Sequence, residues 1–143
     1  MENQSKTMIT VEATIAAPTT KVWEYWTKPE HITKWNSASD DWHTPTATND
    51  VRPGGKFSSR MEAKDGSMGF DFWGIYNEVK PHELITYTMG DGRKASLHFT
   101  QSAEGTETKI VETFDAEETN AIEMQKGGWQ SILDNFKKYV EAN

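Results

Sequence analysis

The sequence predicts an α+β domain, a curved antiparallel sheet of about six to seven strands closed on one side by a long C-terminal helix. Three observations predict it. Apolar residues recur with period two over much of the chain up to about residue 114, and near residue 120 the period changes to about 3.6. Pro18 and Pro29 each introduce a short helical pattern after the first extended segment. Asp65-Gly66, Gly90-Asp91-Gly92 and Glu104-Gly105 divide the period-two region with turn chemistry.

Residues 8–16, MITVEATIA, alternate apolar and polar positions with β-branched enrichment and read as the first strand. Thr19 to Thr27 places Val22, Trp23 and Trp26 at helical spacing, with Pro18 suited to the first turn because its missing N–H would be unpaired there. Pro29 opens a second short helix with Ile32 and Trp35 three apart on one face. Asn36 to Pro53 is rich in Ser, Asp, Thr and Pro and reads as loop with an edge strand around Thr44 to Thr48. From Gly55, Phe57, Ser59 and Met61 share one phase, and after the hairpin Met68, Phe70, Phe72, Gly74 and Tyr76 share another. Strands at roughly 83–89, 94–102 and 106–114 complete an antiparallel meander. Trp129, Ile132, Leu133, Phe136 and Val140 then recur at three and four, marking an amphipathic helix of about 20 residues whose stripe can be buried only against the sheet.

Composition bounds the function. A chain of 143 residues is the size of one domain, and no linker or repeat divides 1–143, so a single domain is expected. Mean hydropathy is low, at -0.77, yet the chain has six Trp, six Phe and four Tyr, so the apolar area is concentrated in large rings. The formal net charge of -7, with basic residues scattered, opposes nucleic-acid binding. No run is long enough to span a membrane, and MENQSKTM has no apolar stretch of the signal-peptide kind. Zero cysteines remove disulfides and thiolate sites, agree with a reducing cytoplasm, and make the Asn3-Gln4-Ser5 sequon a chance match.

The order strand, two short helices, six-strand meander and long helix resembles the helix-grip fold of the START-like (SRPBCC) superfamily, the Bet v-like architecture. The words "APTTKVWEYWTKPEHITKW", "VRPGGKF", "GIYNEVKPHELITYT", "GTETKIVETF" and "GGWQSILDNF" stand in the order expected of the family homologous to the C-terminal domain of the activator of the 90-kDa heat-shock-protein ATPase. The resemblance spans nearly the whole chain. It implies lipid or aromatic ligand binding, polyketide cyclisation or co-chaperone work, and a connection to the stress response, without choosing among them. Two departures are visible. No residues are left over for the activator's separate N-terminal domain, and Asn36 follows Trp35 where the family often has a second aromatic.

Familiar chemical motifs are missing. There is no GxGxxG, GxxxxGK[ST], HExxH or GxSxG, and His31, His43, His82 and His98 fall in four separate elements, so neither a metal nor another cofactor is expected. Gly54-Gly55 reads as a backbone bend, whereas Gly74, Gly127 and Gly128 remove side-chain volume beside the sheet–helix gap and suggest close approach of a strand or a ligand.

The expected lining of that gap is Phe57, Met61, Phe70, Phe72, Tyr76, Leu97, Phe99, Trp129, Leu133 and Phe136, with Trp26, Trp35 and Trp42 near the mouth. Ser59, Thr86, Thr88 and Glu112 are the polar candidates on the inward phase. Each ring read alone fills a core; the group points to a pocket because a sheet bent around one helix leaves a gap that side chains fill poorly. Glu112 is the sharpest polar candidate, an inward carboxylate whose proton desolvation would retain, against the alternative of an edge position paired with a cation such as Arg60.

The leading expectation is binding of a small, largely apolar molecule by a monomer or weak homodimer. A heat-shock chaperone as partner is the first rival. A cyclase-like or hydrolytic enzyme using Glu112 and Tyr76 as acid and hydrogen-bond donor is the second.

Overall fold

A computed structural model of the protein describes residues 7–143; the N-terminal leader reading and the Asn3-Gln4-Ser5 sequon lie outside the described residues. The chain runs β1 (Met8–Ile15), α1 (Thr19–Thr27), α2 (Pro29–Trp35), β2 (Trp42–Asn49), β3 (Lys56–Ala63), β4 (Gly69–Lys80), β5 (Leu84–Met89), β6 (Lys94–Gln101), β7 (Thr108–Asp115) and α3 (Ile122–Ala142). The strands form one seven-stranded sheet in the order β1-β7-β6-β5-β4-β3-β2, antiparallel throughout. From β2 to β7 each strand pairs with the next in sequence, and β1 joins by pairing with β7. This sheet with α3 on its concave face is the helix-grip fold.

Local chemistry fixes the joints. Pro18 caps α1 rather than entering its first turn, and its carbonyl accepts the amides of Lys21 and Val22 at 3.1 Å. Pro29 is the first residue of α2, where no N–H is required. The bend before β3 needs glycine because a methyl group on Gly55 would lie 2.0 Å from the Asp50 carbonyl oxygen. β2 is an edge strand with a register shift between His43 and Thr46, and Pro45 sits in that shift, where a missing donor costs no ladder bond. β4 carries a second shift between Tyr76 and Glu78, which reverses the strand's inward phase before β5 begins.

Helix α3 does not lie across the middle of the sheet. It is tied to the β1 end: Lys137 Nζ donates to the Thr14 carbonyl at 2.7 Å, Gln130 Nε2 to the Glu12 carbonyl at 3.0 Å, and Glu141 accepts the Ala16 amide at 2.9 Å. Leu133, Phe136 and Val140 are fully buried there, together with Val11, Ile110 and Phe114 of the sheet. The concave faces of β3, β4 and β5 are left without a helix on them.

Candidate ligand site

The uncovered half of the sheet bounds a cavity of about 510 Å³. Helices α1 and α2 supply Trp26, Ile32 and Trp35; β2 supplies Trp42, Thr48 and Asn49; β3 supplies Phe57, Ser59 and Met61; β4 supplies Phe70, Phe72 and Tyr76. Ile85 and Tyr87 of β5, Glu112 of β7, and Gly128, Trp129 and Ile132 of α3 complete the walls, with Asn36, Ala38, Ser39, Arg93 and Glu117 from the loops.

Its rings are held by one another. Trp26 stacks on Trp35 with centroids 4.7 Å apart, both meet Phe136 edge-on at 4.9 Å, and the Trp35 indole N–H donates to the Tyr25 carbonyl at 3.0 Å. This wall is rigid because each ring has a partner of fixed geometry. Trp129 lies flat on Phe114 at 3.7 Å and meets the Phe72 edge at 6.2 Å, so it stands on the border between core and cavity. At the mouth Phe70, 49% exposed, leans toward Trp42 at 6.0 Å. Across the floor Phe57 packs on Tyr76 at 5.3 Å and on Tyr87 at 4.9 Å. A methyl group on Gly74 would come within 2.8 Å of that Phe57 ring, so the glycine is what lets the ring lie flat on the sheet.

Of the residues singled out in the sequence, Trp26, Trp35, Trp42, Phe57, Ser59, Met61, Phe70, Phe72, Tyr76, Glu112 and Trp129 meet around this one space. Leu97, Phe99, Leu133 and Phe136 do not line it; they are 0, 5, 0 and 0% exposed and belong to the packed half. Thr86 and Thr88 are corrections. They lie on the outer phase of β5, where the Thr86 hydroxyl accepts the Glu78 amide at 3.0 Å and the Thr88 hydroxyl accepts from Asn77 Nδ2 at 3.0 Å. Ile85 and Tyr87 take the inward phase instead. The signal available for them was that Ile85, Tyr87 and Met89 share one phase and outrank Thr86 and Thr88 in apolar bulk.

The polar groups differ in whether they are already engaged. The Tyr76 hydroxyl donates to Asn49 Oδ1, and Asn49 Nδ2 donates onward to the Thr27 carbonyl at 2.7 Å, so this group knits β4 and β2 to the end of α1. Burial raises the Tyr76 phenol pKa far above its ordinary value. Glu112 is 5% exposed, and its side chain makes no hydrogen bond or ion pair among the described residues. Burial pushes its carboxyl up to about 8, so it is mostly protonated at neutral pH. The alternative pairing with Arg60 fails, because Arg60 pairs with Glu62 at 2.9 Å and Asp71 at 3.5 Å beyond the inward face. Tyr87, 6% exposed, likewise has no hydrogen bond from its hydroxyl among the described residues; burial first, and the nearby Glu112 second, raise its pKa.

Neither Gly127 nor Gly128 is approached by a strand: a methyl group on either would meet nothing within 4 Å, and Gly128 fronts the cavity. Among the described residues no group of three His, Asp or Glu is placed to hold a metal. None of the helices is long and apolar enough to cross a membrane, among the described residues.

The helix-grip sheet and the cavity between it and α3 define a START-like protein. Residues 16–141 match the family model described as activator of Hsp90 ATPase homolog 1-like protein, and the chain belongs to that family. It is similar to the solution structure of an AHSA1-like protein from Aeromonas hydrophila, at 44% identity over 95% of this chain and 93% of that one, with a TM-score of 0.88. A solution structure from Cytophaga hutchinsonii shares 56% identity over 94% and 92% of the two chains, with a TM-score of 0.80. A crystal structure from Nitrosomonas europaea, at 18% identity, 98% and 97% coverage and a TM-score of 0.80, shares the fold. Among curated proteins none matches the chain.

Proposed function

We propose that the protein binds a small, largely apolar molecule, aromatic or lipid-like, in the cavity between the sheet and α3. The observation that carries this reading is the cavity itself. Its volume of about 510 Å³ falls in the range of small-molecule sites, and its walls are mostly aromatic with a few polar groups, the usual composition of such sites. Apolar walls facing an open space of this size forgo contacts that an apolar ligand would supply.

A native mass spectrum of gently purified full chain tests this reading directly, with an adduct of small-molecule mass expected. A thermal-shift screen of aromatic and acyl compounds complements it: binders raise the Tm because they bind only the folded state. No adduct and no shift across a broad apolar library would remove the reading.

The family's name supports a second reading, contact with a heat-shock chaperone. Co-precipitation of the full chain with purified chaperone, and stimulation of its ATPase, test that reading separately. Cytoplasmic residence belongs with either proposal.

A further inference from the structure

Three buried polar side chains on the cavity wall, Ser59, Tyr87 and Glu112, make no hydrogen bond among the described residues, and the two titratable ones lie near each other. Glu112 and Tyr87 are each more than nine-tenths buried, both front the cavity, and neither side chain makes a hydrogen bond among the described residues. A buried polar group without a partner costs about 1–3 kcal/mol, and native structures keep few of them without a reason. Their placement relates them. Glu112 pairs with Leu97 and Leu97 with Ile85, while the adjacent row runs Phe114, Ala95, Tyr87. The two polar residues thus sit two strands apart, about 10 Å between backbones, on neighbouring rows of one face. Between them on β6 lie Leu97, paired with Glu112, and the small Ala95, paired with Tyr87, so it is on the Tyr87 side that side-chain volume is missing.

Resting on the binding reading above, we propose that the ligand is uncharged and carries a carbonyl or phenolic oxygen, which sits between Glu112 and Tyr87 and accepts a hydrogen bond from each. Both groups are donors in their protonated forms, and burial favours those forms. The other titratable groups facing this space are engaged. Arg93 pairs with Asp91 at 2.8 Å and donates to the Asp115 carbonyl at 3.2 Å, Glu117 accepts from Asn120 at 2.7 Å, and Tyr76 donates to Asn49. A carboxylate ligand would have to share Arg93, the one cation on the wall among the described residues, with Asp91. An ammonium ligand would require Glu112 to ionise against apolar walls, and desolvation opposes that.

Four naphthalenes of similar size separate the cases, titrated into the full chain by calorimetry: 2-acetylnaphthalene, its hydrocarbon counterpart 2-isopropenylnaphthalene, 2-naphthylmethylamine and 2-naphthoate. The ketone should bind about ten-fold more tightly than the hydrocarbon at pH 6, the scale of one or two hydrogen bonds. That preference should fade as pH passes about 8, because the Glu112 carboxylate no longer donates. Tyr87→Phe should lower ketone affinity several-fold and leave hydrocarbon affinity unchanged. Glu112→Gln, whose amide still donates, should keep a preference for the ketone and lose its pH dependence. Tightest binding by the amine or the naphthoate would overturn the proposal. Equal binding of ketone and hydrocarbon would overturn it too, while leaving the apolar-ligand reading in place. Binding by none of the four would sink both. The comparison of probes on the unsubstituted protein decides the matter even if a variant fails to fold.

Discussion

The two halves of the concave face are made of the same kinds of residue and differ in what lies opposite. Beside β1, β6 and β7 the rings and aliphatics meet α3 and are sealed: Leu97, Phe114, Leu133 and Phe136 have no exposed surface. Toward β3 and β4 the inward phase is just as aromatic, yet Phe57 and Phe72 are only partly buried and Phe70 is half exposed. The asymmetry comes from the helix position. Lys137, Gln130 and Glu141 fasten α3 to the β1 edge, so one helix stripe covers about half of a sheet seven strands wide. Apolar content alone does not distinguish a core from a pocket; the element opposite does.

Truncations should separate the halves most sharply. Phe136→Ala removes a fully buried ring that Trp26 and Trp35 both contact, and should cost about 3–5 kcal/mol by chemical denaturation. Phe70→Ala, at the mouth, should cost less than about 1 kcal/mol. Equal losses would mean that the two halves are one continuous core.

Trp129 stands between them and should behave so. Its ring is stacked on buried Phe114 yet fronts the cavity, so Trp129→Ala should cost about 2–3 kcal/mol, less than full burial would. The same variant should bind apolar probes more weakly or admit bulkier ones, measured by ligand titration. A larger stability loss with unchanged binding would assign the ring to the core alone.

What the sequence disclosed about this division was uneven. Period and punctuation placed the elements well: Thr19–Thr27 and Pro29–Trp35 are the helices that their prolines announce, and α3 begins where the period changes. Face assignment held along β3 and in β4 as far as Tyr76. It failed in β5, where Thr86 and Thr88 went to the wrong side although Ile85, Tyr87 and Met89 carry that strand's apolar phase. Which inward residues are packed was not legible either. Leu97 and Phe57 look alike in the sequence; their difference depends on where α3 rests, which hydrogen bonds to β1 backbone carbonyls and amides decide, and backbone groups leave no mark on composition.

Glu112 sharpens the comparison through pH. The unfolded chain releases this proton near 4.5, whereas the folded chain holds it to about 8, so between those values the native state carries the additional proton. The stability tied to that proton is present in full below the lower value and lost as pH rises through the upper one, at up to about 1.4 kcal/mol per pH unit from this one group. Denaturation midpoints should fall across that window. Glu112→Gln should flatten this part of the profile and equal or exceed the parent in stability at pH 9; an unchanged slope would show that the carboxyl is solvated.

The smallest effect is a difference of sign between glycines of the two environments. A methyl group on Gly74 would press on the Phe57 ring at 2.8 Å and on the Thr88 carbonyl at 2.7 Å, and the carbonyl is part of the ladder and cannot yield cheaply. Gly74→Ala should therefore destabilise, by about 1–3 kcal/mol in the manner of overpacking. In α3 nothing lies within 4 Å of a methyl group on Gly127 or Gly128, and both are interior helix positions where alanine is favoured. Gly127→Ala and Gly128→Ala should each stabilise, by about 0.5–1 kcal/mol, and the gain should appear as a higher denaturant midpoint with an unchanged slope. The two helix positions also differ from each other. Gly128 fronts the cavity and Gly127 does not, so a methyl group at 128 narrows the space available to a ligand. If the cavity is filled in use, Gly128→Ala should gain stability and lose affinity for apolar probes, while Gly127→Ala gains stability alone. Destabilisation by both would show that α3 sits closer to the sheet than this geometry has it, and the open half would then be part of the core.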